Sequence, residues 1–211
     1  MMRMTSLVAA VGVVALVGCA KKDTDDTAKT DTTPAANATP VNPAPDTTPK
    51  LTDANIAALL DEANAGDSAT GKIASQKGTK ADVRAFGTLM MRDHHALRVA
   101  GLDLVKKLNV TPTPPANDSL PNKVKAAQDD LNSKDKGADW DAAYINGEIA
   151  THQMVIGVLN QADAAAQAPE LKALLKKARP NIEMHLKRAQ DIQGKLNGVA
   201  ADSAAGTKKK P

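Results

Sequence analysis

The sequence predicts an all-α domain of four long helices and one short one, spanning residues 51–198 of a chain of 211 residues. Three observations carry this expectation. Apolar residues in that span recur three and four apart, with no alternating strand pattern. Ala, Leu, Lys, Gln and Asp dominate its composition. The breaks between periodic segments coincide with Gly, Pro and polar clusters, which stop helices.

The first helix is predicted from Thr52-Asp53, an N-cap pair, to about Lys77, with Ile56, Leu59, Leu60, Ala63, Ile73 and Ala74 facing inward. The second begins at Thr79, whose hydroxyl can cap while Asp82 stands three residues on, as in a capping box. It continues to Leu108 along Val83, Phe86, Met90, Leu97, Gly101, Leu104 and Leu108. Three prolines make residues 109–117 a loop. A short helix over residues 119–132 uses Leu120, Val124, Ala127 and Leu131, and residues 133–137 form a polar break. The fourth helix covers residues 139–164, with Ile145, Ile149, Ile156 and Leu159 on one stripe. The fifth opens at Pro169, favoured in a first turn, and ends at the C-cap pair Asn197-Gly198. Its stripe is Leu171, Leu174, Ala178, Ile182, Ala189, Ile192 and Leu196. Pro180, inside it, removes one ladder bond and is expected to kink it.

Short loops at Gly78 and around Gln167 imply antiparallel neighbours, whereas residues 109–137 form a long crossover. Two hairpins joined by a long crossover make the ferritin-like arrangement of a four-helix bundle, here with a short extra helix on the crossover.

The ends of the chain have a different character. Arg3 precedes a short apolar run from Leu7 to Val17, which has the length of a signal-peptide core and is too short to span a bilayer. The run closes on Leu16-Val17-Gly18-Cys19, which resembles the lipobox of bacterial lipoproteins. That resemblance implies a signal peptide over residues 1–18 and an acylated Cys19 at the mature N-terminus. Several acyl chains on one residue matter, because a single chain binds membranes only marginally. Ala20 follows in place of an aspartate, which by resemblance to proteobacterial sorting signals leans toward the outer membrane, with the domain in the periplasm or at the surface. Residues 19–50 hold Thr, Asp, Asn and five prolines with almost no apolar bulk, and so read as a disordered tether. Residues 199–211 read as a disordered basic tail ending in three lysines.

Cys19 is the only cysteine, so the domain has no internal disulfide and no cysteine-based zinc site. The formal charge of +3 becomes +2 once Arg3 leaves with the signal peptide. One Trp, one Tyr and one Phe leave no basic stripe interleaved with aromatics, which argues against nucleic acid as a partner. The membrane, through Cys19, and another envelope protein are the partners expected.

Three of the four histidines interrupt the apolar stripes. His94 stands four after Met90 and three before Leu97, His152 between Ile149 and Ile156, and His185 between Ile182 and Ala189. Each falls within about two residues, some 3 Å, of its helix midpoint, a level that antiparallel packing preserves. Asp67 lies near the midpoint of the first helix. Glu148 precedes His152 by one turn, Tyr144 precedes Glu148 by one more, and Asp93 adjoins His94. A central layer of three imidazoles and at least one carboxylate is therefore expected.

Met91-Arg92-Asp93-His94-His95, Tyr144-Ile145 with His152 downstream, and Arg179-Pro180 with Ile182 and His185-Leu186 resemble the ferritin-like domain of unknown function of many bacterial envelope proteins, often labelled predicted outer membrane protein. The resemblance covers residues 51–198. It implies a ferritin-like bundle and an extracytoplasmic location, and brings no established reaction. Classical di-iron relatives of this fold place a Glu three residues before a His. Ile149, Ile182 and Met91 occupy those positions here, so the di-iron signature is absent.

Two functions fit the layer. In one, the domain is a structural or binding module of the envelope, and His94, His152 and His185 bond Asp93, Glu148 or Tyr144 to hold helix register. In the alternative, His94, His152 and His185 ligate a transition metal (zinc, iron, copper or manganese), with Glu148 or Asp67 as the carboxylate, and an open position could activate water. Met90 shares the face of His94, which would suit copper, although Met at this spacing is usually core. His95 is expected in solvent and Trp140 as a packing plug. No Ser/His/Asp grouping, phosphate loop or dinucleotide fingerprint occurs, which excludes an ordinary hydrolase or kinase.

Overall fold

Residues 50–206, with side chains to residue 198, are described by a computed structural model. The predicted signal peptide, Cys19, residues 19–49 of the tether and residues 207–211 of the tail lie outside the described residues. Within them are five helices and no strand: α1 (Asp53–Lys77), α2 (Ala81–Lys107), α3 (Leu120–Ser133), α4 (Ala138–Ala165) and α5 (Pro169–Gly206). No helix among the described residues is long and apolar enough to cross a membrane.

Local chemistry accounts for most helix ends. The Thr52 hydroxyl accepts the Asn55 N–H at 3.2 Å while the Asn55 side chain accepts the Thr52 N–H at 3.0 Å, a reciprocal cap. The Asp118 carboxylate accepts the Leu120 N–H at 2.9 Å, and Pro121 occupies the first turn of α3.

Four expectations need correction. Thr79 does not cap α2, which starts two residues later from Lys80 without a side-chain cap. The Thr79 hydroxyl and N–H and the Lys80 N–H all donate to the carboxylate of Asp141, fully buried on α4, so a partner 62 positions away replaces the local cap. The fifth helix does not stop at Asn197-Gly198 but runs to Gly206, so residues 199–206 of the expected tail are helical. Ala200-Ala201 and Ala204-Ala205 favour helix, and an interior Gly costs only about 1 kcal/mol. Ala127 is exposed, because α3 roofs an open cavity there. On α4 the buried face is centred on Tyr144, Glu148, His152 and Val155, leaving Ile149 and Ile156 half-buried at its edges. Helix α5 continues through Pro180, whose side chain faces solvent.

The helices pack as two hairpins, α1 with α2 and α4 with α5, with α1 also against α4 and α2 against α5. Asp53, at the start of α1, accepts N–H bonds from Gln167 and Ala168 beyond the end of α4, at 2.7 and 2.9 Å. Asp141, at the start of α4, meets the end of α1. These two contacts make α1 and α4 antiparallel, so α2 and α4 run the same way and their connection must travel the length of the domain. Helix α3 lies on that connection, against α1 and α4. The closest approach is between α1 and α2, where a Cβ on Gly71 would stand 2.7 Å from the Gly87 carbonyl oxygen, and one on Gly87 equally close to that of Gly71.

The apolar core falls into two clusters. One holds Ile56, Ala63, Val155, Leu159, Leu175 and Ile182; the other holds Ala74, Phe86, Met90, Trp140, Tyr144 and Ala189. Along each of the four long helices the two sets are separated by buried polar residues: Asn64, Asp67 and Thr70 on α1, His94 on α2, Glu148 and His152 on α4, His185 on α5.

Candidate metal centre

Helical spacing puts each histidine in the layer between the clusters, one or two turns from its apolar neighbours. The rings of His94, His152 and His185 are at most 1% exposed and form a triangle with centroid separations of 5.4, 5.2 and 5.6 Å. One ring nitrogen from each lies within 4.8 Å of the others.

Each imidazole is anchored through one nitrogen. His94 Nδ1 is 2.9 Å from Asn64 Oδ1, and the Asn64 amide nitrogen donates to the Leu60 carbonyl at 2.7 Å, which turns the amide oxygen toward the ring. His152 Nδ1 is 2.9 Å from the Glu148 carbonyl oxygen, and His185 Nε2 is 3.1 Å from the Asp93 carboxylate. All three partners are acceptors, so the facing nitrogen carries the hydrogen and the other keeps its lone pair. Those others (Nε2 of His94 and His152, Nδ1 of His185) are buried without a hydrogen-bond partner among the described residues.

The electrostatics keep the rings neutral. Burial, reinforced by the neighbouring imidazoles His152 and His185, pushes His94 well below its usual range. Burial takes His152 down to about 4 against the opposing bond to the Glu148 carbonyl. Burial also lowers His185, opposed by Asp93. Burial works to raise Asp93 too, but bonds from Arg92 and His185 outweigh it, and that carboxyl ends below its usual value.

Asp67 and Glu148 stand in the same layer, behind the rings. Asp67 Oδ2 is 3.5 Å from His94 Nδ1, and Glu148 Oε2 is 3.5 Å from His152 Nδ1, so both lie beside nitrogens already anchored. Neither belongs to the three-histidine cluster, which the expected ligand set had included. Glu148 Oε1 accepts the Thr70 hydroxyl at 3.1 Å. Neither carboxyl is ion-paired to a Lys or Arg among the described residues. Burial raises Asp67 to about 7; burial and then the charge of Asp67 raise Glu148 well above the carboxylate range.

Tyr144 stacks on Trp140 at 5.9 Å, its hydroxyl buried and unpartnered, and burial raises it well above its ordinary value. Trp140 is fully buried and donates to the Leu131 carbonyl at 2.7 Å, as a packing plug does. His95 is exposed, and Met90 sits in the apolar cluster. Asn64 and Thr70 were not anticipated. Their signal was present, since both lie three residues from Asp67 on one face of an alanine-rich helix.

Fold and centre define an all-helical domain with a buried triangle of neutral imidazoles. Residues 36–192 match the family described as Domain of unknown function (DUF4142), and the chain belongs to that family. No curated protein and no solved structure matches the chain.

Proposed function

We propose that this chain is a bacterial envelope lipoprotein whose ferritin-like four-helix bundle holds one divalent transition-metal ion on His94, His152 and His185. The observation that carries the metal reading is the set of three buried lone pairs left free after each ring is anchored through its other nitrogen. An acceptor behind a neutral imidazole sets the tautomer and raises the basicity of the opposite nitrogen, which is the arrangement of metal-ligating histidines. A layer serving only helix register would satisfy its polar atoms internally. Here the three ring nitrogens, Glu148 Oε2 and the Tyr144 hydroxyl lack partners among the described residues. A single water has two hydrogens to offer and cannot serve three lone pairs. A divalent ion serves all three, and its charge favours the ionised forms of Asp67 and Glu148, neither of which is ion-paired to a Lys or Arg among the described residues.

Three imidazoles suit zinc, copper or iron and leave a position open. The lack of a Glu three residues before any of these histidines favours one ion over a di-iron pair. The ferritin-like assignment is supported by two hairpins joined by a long connection, with α1 beside α4 and α2 beside α5. The envelope assignment is supported by Leu16-Val17-Gly18-Cys19 after an apolar run.

Elemental analysis of the untagged mature chain, purified in detergent, tests the metal reading. About one metal per chain is expected, lost in a His94→Ala/His152→Ala double variant that keeps its helical circular dichroism. A metal-free preparation that also refuses added zinc, copper and iron would overturn it. Labelling with an acyl-chain analogue should mark the wild type and spare Cys19→Ser; an unlabelled wild type would sink the anchor.

A further inference from the structure

Two cavities reach the polar layer from different sides, and their walls differ. One touches Asn64, Asp67 and His94, has a volume of about 40 Å³, and is otherwise walled mainly by apolar side chains such as Leu97, Leu102 and Leu175, with Asp61 also on the wall but ion-paired to Arg98 at 2.7 Å. The other lies beneath α3, between α1 and α4, and has a volume of about 450 Å³. Its polar lining comprises Asp67, Thr70, Tyr144, Glu148 and Thr151 together with Asp130 and Lys123, so three carboxylates face it against one ammonium. None of the three histidines lines this second cavity. Asp67 and Glu148 stand between it and the rings, each 3.5 Å from an imidazole nitrogen. Glu148 Oε2 and the Tyr144 hydroxyl, both buried and unpartnered, belong to residues of that same polar surface.

We infer that the cavity beneath α3 is the route by which a hydrated divalent cation reaches the three-histidine centre, with the carboxylates of Asp67 and Glu148 as its transit ligands. This rests on the metal reading and adds the path and the residues that hand the ion over. A cation arrives with several waters bound and sheds them only where other oxygens replace them. The leucine-walled cavity has room for about three waters and few oxygens to exchange for them, and stripping an ion into apolar surroundings is prohibitive. The cavity beneath α3 has the volume for the hydrated ion, and its carboxylates lead to the rings. Helix α3 shapes this space from the crossover: Val124 fills the notch of Gly66, where a Cβ would stand 2.7 Å from its Cγ2.

The test is the association rate of cobalt(II) with the metal-free mature chain, followed by its visible absorption. Ala127→Trp and Ala150→Trp narrow the cavity from two walls, at exposed positions that are neither proposed ligands nor their neighbours in sequence. Each should slow association at least tenfold and dissociation equally, leaving stoichiometry and equilibrium affinity unchanged. Leu102→Trp, at the leucine-walled cavity, should leave the rate as it was. Unchanged rates in both cavity variants, or slowing by Leu102→Trp instead, would overturn the route while the metal centre stands. A wild type that takes up no cobalt, zinc, copper or iron would remove the centre and the route together.

Discussion

His94, His152 and His185 are gripped by three different acceptors: a side-chain amide of α1, the backbone one turn back on α4, and a carboxylate of α2. Such partners orient a ligand and tune its basicity, and losing one typically costs about 10–100-fold in metal affinity. Asn64→Ala and Asp93→Asn should each weaken zinc binding by that factor in a competition titration while the helical signal persists. Unchanged affinity in both would mean that the rings are not tuned from behind. The same layer sets a pH dependence. Asp67, raised to about 7, and Glu148, raised further, keep protons in the folded state that the unfolded chain has released, so above pH 6.5 the unfolded state binds fewer protons. Stability of the metal-free domain then falls as pH rises, by up to about 1.4 kcal/mol per pH unit for each carboxyl. Below the usual histidine value of 6.5 the sign reverses for His94 and His152, whose depressed values make stability fall as acid protonates the unfolded chain. The urea midpoint of the metal-free domain should therefore drop between pH 6.5 and 8, and Asp67→Asn should flatten the slope. A midpoint that climbs over that interval would contradict the assignment.

Helix α2 shows how an element can be legible in outline and misread at its edge. Its apolar stripe was readable from spacing alone, whereas its start depends on Asp141, which only docking of α4 brings to Thr79 and Lys80. Asp141→Ala leaves those donors without their acceptor and should cost about 1–3 kcal/mol in chemical denaturation. A loss below a few tenths would show that water replaces the carboxylate. The glycines of the helices divide in the same way. Gly87 meets the α1 backbone, so Gly87→Ala should destabilise by about 1–3 kcal/mol through overpacking. Gly157, with open space around its Cβ position, should gain up to about 1 kcal/mol as Gly157→Ala from helix propensity. Equal effects at the two sites would deny the close crossing of α1 and α2.

At the scale of the whole molecule, two apolar clusters hold the domain on either side of a layer that contributes polarity more than cohesion. A ligand bound only by the folded state stabilises it by about 4 kcal/mol at a thousandfold excess over its dissociation constant. Thermal unfolding of the loaded protein should move to lower temperature with a chelator. The His94→Leu/His152→Leu/His185→Leu variant should fold, hold no metal and ignore the chelator, since apolar replacement of a buried polar group is often tolerated. Failure of that variant to fold would show that the layer is structurally required.

Helix number, helix spans to within a few residues except at the end of α5, and the placement of three histidines on inward faces at matching levels were all determined by the sequence alone. These follow from a period of 3.6 residues and from local stop signals, which involve only near neighbours. Asn64 and His94 are 30 positions apart, and Asp93 and His185 are 92 apart. Which acceptor grips which ring, that Asp67 and Glu148 stand behind the imidazoles, and that α4 turns Val155 inward in place of Ile156 were decided by the tertiary structure. Each depends on the rotation of one packed helix against another, which no single helix encodes.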